Sequence, residues 1–181
     1  MELSSVQDTK NFSKKVSEII EENDTIFLYG EIGTGKTTFV RFFINHLEKK
    51  NNIKKSDVLS PTFNIVYEYE VKKIKIYHYD LYRLKNYHDI IELGIFETFK
   101  DNIKIIEWPE LISKKQKDRI DILFEYLKKT NSRKVEIKSN IATLEESFDI
   151  MMDTDDMIEL NCSIANLYNE ERYYHESVKA S

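Results

Sequence analysis

The chain is poor in the residues that staple or punctuate small folds. Of 181 residues, one is cysteine, two are proline, four are glycine and one is tryptophan. The lone Cys162 excludes an intramolecular disulfide, and with no second cysteine and no histidine cluster a zinc-type cage cannot be assembled. No apolar run approaches the ~20 residues of a membrane-spanning helix. The first residues, Met1-Glu2-Leu3-Ser4, have neither the basic nor the apolar region of a signal peptide. At 41% hydrophobic the chain can bury a core, so the expectation is a cytoplasmic globular protein without a membrane partner.

A strong basic excess is also missing. The net charge is −5, and it is uneven: residues 140–181 hold two basic and ten acidic side chains, which leaves 25 basic and 22 acidic in residues 1–139. So mild a balance does not imply nucleic-acid binding, and no DNA partner is expected. The shift near Asn140 divides the chain into a domain over 1–139 and an acidic extension over 140–181.

Because glycine is scarce, its placement is informative. Three of the four glycines lie in Gly30-Glu31-Ile32-Gly33-Thr34-Gly35-Lys36-Thr37, which fills the pattern of a glycine, four residues, then Gly-Lys-Thr. This is a phosphate-binding loop. An apolar strand-like run, Thr25 to Tyr29, precedes it and a run with helical spacing from Thr38 follows, the context such a loop needs. Glycines let successive N–H groups converge on an anion, and the helix N-terminus adds its dipole. Lys36 can reach the β- and γ-phosphates, the Thr37 hydroxyl can ligate Mg²⁺, and Thr38 is placed for the α-phosphate.

Before the loop, Phe12, Val16, Ile19 and Ile20 predict a first helix within 6–22, with Asp8 or Thr9 as N-cap. After it, the predicted helix runs to about Lys49. Pro61 extends the backbone and sets Thr62 before a strand. Alternation over 63–70 and 74–79 predicts an antiparallel hairpin turning near Lys72-Lys73. Asp80 closes that hairpin, where a carboxylate beside a phosphate-binding loop commonly holds Mg²⁺ or its water, although a lone Asp can equally cap a turn. Residues 87–100 look helical, with Gly94 as a kink or internal end. Strand 103–107 closes on Glu107, which competes with Asp80 for the metal; beside the strand at 25–29 it could ligate Mg²⁺ or orient an attacking water. Trp108 follows as a buried anchor or a stacking platform. A last hairpin, 119–127 with 133–138, carries Arg133 near its turn. The fold class expected is α/β: a mixed sheet with flanking helices and a helical C-terminal extension.

Five segments in order resemble one family: 30–39 around the phosphate-binding loop, Ser-Pro-Thr-Phe at 60–63, His-Tyr-Asp-Leu-Tyr-Arg-Leu at 78–84, Glu92-Leu93-Gly94, and Ile-Glu-Trp-Pro at 106–109. Over residues 5–139 the chain resembles the TsaE (YjeE) family. That resemblance implies a P-loop ATPase with ATP and Mg²⁺ as cofactors, an accessory to the machinery that puts threonylcarbamoyl on adenosine 37 of tRNAs reading ANN codons. Its partners would be TsaD and TsaB homologues, with tRNA met indirectly. By resemblance, Gly33, Thr34, Gly35, Lys36, Thr37 and Thr38 hold the nucleotide, and Thr62 lies in a switch-like segment. Asp80 is then the Walker B-like acid, Glu107 an acid tied to Mg²⁺, and Arg133 a basic residue near the nucleotide, although Asn131-Ser132 lacks the glycine that relatives often carry there. The extension departs from the family; Ile164 to Tyr168 with Tyr173, Tyr174 and Ser177 has the spacing of one tetratricopeptide-like helical pair.

Three rival readings have recognisable requirements. A GTPase switch needs an Asn-Lys-x-Asp tetrapeptide, which is absent, and a small-molecule kinase needs an arginine-rich lid, whereas the five arginines are scattered. A nucleotide-bound scaffold recruiting a partner through the extension needs no turnover at all.

Overall fold

A computed structural model of the chain describes residues 1–97, 101–112, 119–127 and 132–139. The acidic extension, its tetratricopeptide-like spacing and Asn131 lie outside the described residues.

Seven strands form one mixed sheet in the order β1-β7-β6-β2-β5-β4-β3. They are β1 (Glu2–Leu3), β2 (Thr25–Tyr29), β3 (Val66–Val71), β4 (Ile74–Asp80), β5 (Asn102–Glu107), β6 (Arg119–Leu127) and β7 (Ser132–Ser139). β2 runs parallel to both β5 and β6, and β4 runs parallel to β5, while the β3–β4, β6–β7 and β1–β7 pairs are antiparallel. The two strands covered on both faces are β2 and β5, and all six residues of β5 are buried. The apolar run of β2 follows from that position, whereas β5 also buries Asn102, Lys104 and Glu107.

Alternation along these strands feeds two cores. Ile26 and Leu28 of β2, Ile103 and Ile105 of β5 and Ile76 of β4 meet Phe12 and Val16 of α1 (Val6–Ile19) and Phe39, Phe43 and Ile44 of α2 (Lys36–Lys50). Phe39 lies 5.4 Å from the ring of Phe12 and 5.9 Å from that of Phe124 of β6. Each such ring contributes roughly 1.5–3 kcal/mol of burial. On the opposite face Phe27, Tyr79 and Ile106 pack with Ile90 of α3 (Tyr87–Glu92) and with Ile95.

Four local expectations change. The N-cap of α1 is Ser5, whose side chain accepts from Asp8 N while the Asp8 carboxylate accepts from Ser5 N, a reciprocal capping box. Asp8 is thus the third helical residue rather than the cap, and Thr9 is buried inside the first turn. β3 begins at Val66 rather than residue 63, because Ile65 adopts φ 68° and bonds back to Pro61 O in a turn. α3 ends at Glu92, followed by turns in which Gly94 has φ 65°; residues 98–100 of the longer expected helix lie outside the described residues. β1 was not expected, since two residues carry no periodicity.

The parallel arrangement brings the C-terminal ends of β2, β4 and β5 to one edge. Asp80 and Glu107 are register partners there, one strand away from Leu28 at the start of the glycine loop.

Candidate functional site

In a mixed α/β sheet, ligands sit beyond the carboxyl ends of the parallel strands. At that edge the chain has a cleft of about 300 Å³, lined by Gly33, Gly35, Lys36, Thr37, Thr38, Thr62, Asp80 and Glu107 together with Ile32, Ser60, Tyr82 and Trp108.

The loop between β2 and α2 is shaped by close approach. A Cβ at Gly30 would stand 2.2 Å from Phe124 O, so only glycine lets the chain leave β2 against β6. Gly35, at φ 111°, is the N-cap of α2 and has no side chain to satisfy the first-turn N–H groups. Those donors are left facing the cleft, as an anion site requires. Thr34 is turned beneath the loop, where its hydroxyl donates to Glu31 O at 2.9 Å, so it shapes the loop and does not line the cleft.

Lys36 is only 4% exposed. Its ammonium donates to Gly30 O at 2.5 Å and Glu31 O at 2.9 Å, and stands 4.0 Å above the Trp108 ring. Burial lowers its pKa below 10.5, opposed by the carboxylates of Glu107, Glu110 and Asp80. The lysine is thus held in place by groups that an anionic ligand can replace.

The two acids hold different partners. Glu107 accepts from the Thr37 hydroxyl, 2.8 Å to Oε1 and 3.1 Å to Oε2, and from His78 Nε2 at 2.9 Å to Oε1. Its main chain is clamped on both sides, because Leu81 N donates to Glu107 O at 3.0 Å and Trp108 N to Leu28 O at 3.2 Å. Asp80 accepts from the Thr62 hydroxyl at 2.5 Å and from Tyr82 N at 3.0 Å, so it both meets the Thr62 segment and caps the turn after β4. Ser60 in turn shares a hydrogen bond with Thr62 at 2.8 Å.

Trp108 ends β5 abruptly. It adopts φ 58°, uncommon for a non-glycine residue, and Pro109 then starts a short 3₁₀ turn. This geometry turns the indole across the cleft, against Lys36 and 4.9 Å from the Tyr82 ring. It is half-buried, packed against the Phe27–Ile106 core on one side and lining the cleft on the other.

Arg133 lies in β7, opposite Tyr126 of β6, with its guanidinium 5.7 Å from that ring. It does not line the cleft. Tyr126 itself reaches the loop: a Cβ on Gly33 would lie 2.9 Å from its hydroxyl.

His78 is the residue whose role the sequence left unread. It lies in the segment 78–84, two positions before Asp80, and the period of a strand places both on one face with Glu107's neighbour Ile105. That face could be found from the alternation alone. The pairing with Glu107 required the register.

The cleft's donor set is all oxygen: the Thr37 and Thr62 hydroxyls and the Asp80 and Glu107 carboxylates. Hard oxygen ligands fit Mg²⁺, which is commonly held by one or two carboxylates plus a ligand's phosphates rather than by an all-protein cage. Among the described residues there is no group of three or more His, Cys, Asp or Glu side chains able to cage a metal.

Comparison with known proteins adds an independent finding. Residues 3–135 match the family described as threonylcarbamoyl adenosine biosynthesis protein TsaE. The tRNA threonylcarbamoyladenosine biosynthesis protein TsaE of Rickettsia prowazekii is 43% identical over 110 residues, which covers 61% of this chain and 74% of that one. Its counterpart in Aquifex aeolicus is 35% identical over 137 residues, covering 75% and 92%. Among solved structures, the crystal structure of Bacillus subtilis YdiB matches with a TM-score of 0.59 at 22% identity, over 82% of this chain and 92% of that one. That likeness bears on the fold, a P-loop NTPase-like mixed sheet. Among the described residues no helix is long and apolar enough to cross a membrane.

Proposed function

The chain belongs to the TsaE family of threonylcarbamoyl adenosine biosynthesis proteins, and on that premise we propose that it is an ATPase that binds ATP with Mg²⁺ in the cleft and serves as an accessory in modifying adenosine 37 of tRNA. Its partners in this reading are TsaD and TsaB homologues, and tRNA is met through them.

One observation carries the reading. The glycine loop, the α2 N-terminus, the Lys36 ammonium, the Thr37 hydroxyl and two carboxylates converge on one cleft, although they come from three strands and a helix. Each group has a task toward a triphosphate. The loop and helix N–H groups take the anionic oxygens, and Lys36 adds a point charge after leaving its carbonyl partners. Thr37, Glu107 and Asp80 would hold Mg²⁺, which when bound supplies charge neutralisation on the phosphates. Asp80 also grips Thr62, so the Thr62 segment can respond to what occupies the cleft. Rate enhancement in such a site comes from positioning and electrostatics rather than covalent chemistry.

The test is ATP hydrolysis, with GTP in parallel, by the chain alone and with TsaD and TsaB homologues, comparing the unmodified chain with Glu107→Ala. ATP-selective turnover that rises with the partners and disappears in the variant is expected. Equal rates with and without partners, or a preference for GTP, would sink the proposal and favour a switch protein or a kinase.

A further inference from the structure

His78 is fully buried, on the strand face that otherwise presents Ile76 to the α2 core. An imidazole there is costly. Among the described residues its Nδ1 has no hydrogen-bond partner, and a buried unpaired polar atom costs on the order of 1–3 kcal/mol. A leucine would fit the surrounding core without that cost, so the need for a histidine must lie at its other nitrogen. That nitrogen, Nε2, has one partner, Glu107 Oε1, at 2.9 Å. An ionised carboxylate only accepts, so the proton in this bond is carried by Nε2.

The bond divides the labour between the two carboxylate oxygens. Oε1 is held by both Thr37 and His78, while Oε2 has the longer 3.1 Å contact to Thr37 alone. Thr37 also has a metal-ligating task in the function proposed above, in which its oxygen serves the cation as well as carrying the proton it donates to Glu107. His78 is the side-chain donor committed to the carboxylate alone, so its hold on Oε1 does not depend on what Thr37 ligates.

We infer that His78 is a positioning residue, which aims Glu107 at the metal and nucleotide through the Nε2–Oε1 hydrogen bond. This rests on the reading of the cleft as an ATP·Mg²⁺ site.

The experiment compares the unmodified chain with His78→Leu and His78→Gln. The leucine removes the donor at similar volume, and the glutamine amide restores an N–H at the reach of Nε2. Binding of ADP is titrated with Mg²⁺ and again with chelator, and ATP turnover is measured as kcat and KM. In His78→Leu the chelator affinity is expected to stay within about twofold, while the gain in affinity conferred by Mg²⁺ and the kcat each fall roughly tenfold, the low end for loss of a partner that orients a ligand. His78→Gln is expected to recover most of both. Unchanged Mg²⁺ dependence and kcat in the leucine variant, or glutamine no better than leucine, would overturn the inference and leave the ATPase reading standing. An unmodified chain whose ADP affinity ignores Mg²⁺ would overturn both. Should the leucine variant fail to fold, His78→Asn serves in its place, because its amide ends at the Nδ1 position and cannot reach Glu107.

Discussion

Among the described residues two lysines are buried, and they stand in opposite surroundings. Lys36 is 4% exposed and Lys104 5% exposed, each donates to two backbone carbonyls, and burial lowers the pKa of both below 10.5. Lys104 points from β5 to the face away from α2, where its ammonium binds Ile95 O at 2.7 Å and Glu97 O at 2.6 Å. It ties the turns after α3 to the sheet, and among the described residues the charge that acts on it is Glu97. Lys36 faces the cleft, with three carboxylates and an indole around it, and its carbonyl partners belong to the glycine loop that it serves. Burial and hydrogen bonding alone therefore do not separate a structural lysine from a functional one. What separates them is that Lys36 lines a cleft with space that an anion can fill, whereas Lys104 is engaged by the carbonyls of Ile95 and Glu97 away from that cleft.

The contrast can be broken at either lysine. Lys36→Ala is expected to lower ATP turnover by roughly 100- to 1,000-fold, the scale of losing one positioned electrostatic donor, with a smaller loss of stability than at Lys104 because the open cleft lets water reach the freed carbonyls; turnover at the unmodified rate would remove Lys36 from the site. Lys104→Met should do the reverse, leaving two carbonyls without a donor and costing about 2–4 kcal/mol in urea unfolding while turnover persists in the folded fraction. A stability equal to the unmodified chain would mean that water replaces the ammonium. A smaller effect sharpens the Lys36 environment: a double-mutant cycle of Lys36→Met with Trp108→Leu, read by unfolding of the nucleotide-free chain, should give a coupling of about 0.5–1 kcal/mol. Zero coupling would reduce the stacked geometry to proximity.

The smallest effect is in pH. The folded chain holds Lys104 below 10.5, so between that lowered value and 10.5 the unfolded chain binds more protons at this position. Stability contributed by the site accordingly rises with pH through that window, and falls back as pH is lowered through it. Subtracting the unfolding free energies of Lys104→Met from those of the unmodified chain across alkaline pH should display this upward slope; a flat difference would show that the carbonyls fully compensate the ammonium for its lost water.

The strands were legible where burial imposes a pattern. β2 was read from its apolar run, and β4 and the β6–β7 pair from alternation, because the period of two is written into any half-buried strand. The start of β3 was misplaced since Ile65, a β-branched residue, takes a positive φ that no propensity suggests, held by the bonds Ile65 N to Pro61 O and Asp80 N to Ile65 O. The cap of α1 was displaced by three residues for a comparable reason: Asp8 does bond the cap, yet from inside the helix. In the site, Lys36, Thr37, Thr38 and the two glycines at 33 and 35 could be named because a phosphate-binding loop is local. His78 could not, since its partner is 29 residues away.

By itself the sequence determined the loop and the chemistry it can offer, for the glycines, the lysine and the threonine contribute backbone freedom and charge within eight consecutive residues. It determined as well that Asp80 and Glu107 each stand at a strand's end. Only the tertiary structure decided that those ends lie side by side, that Glu107 meets Thr37 while Asp80 meets Thr62, and that Trp108 covers Lys36. The reason is physical: strand order and register are settled by which faces can be buried together, a condition on the whole sheet that no single segment contains.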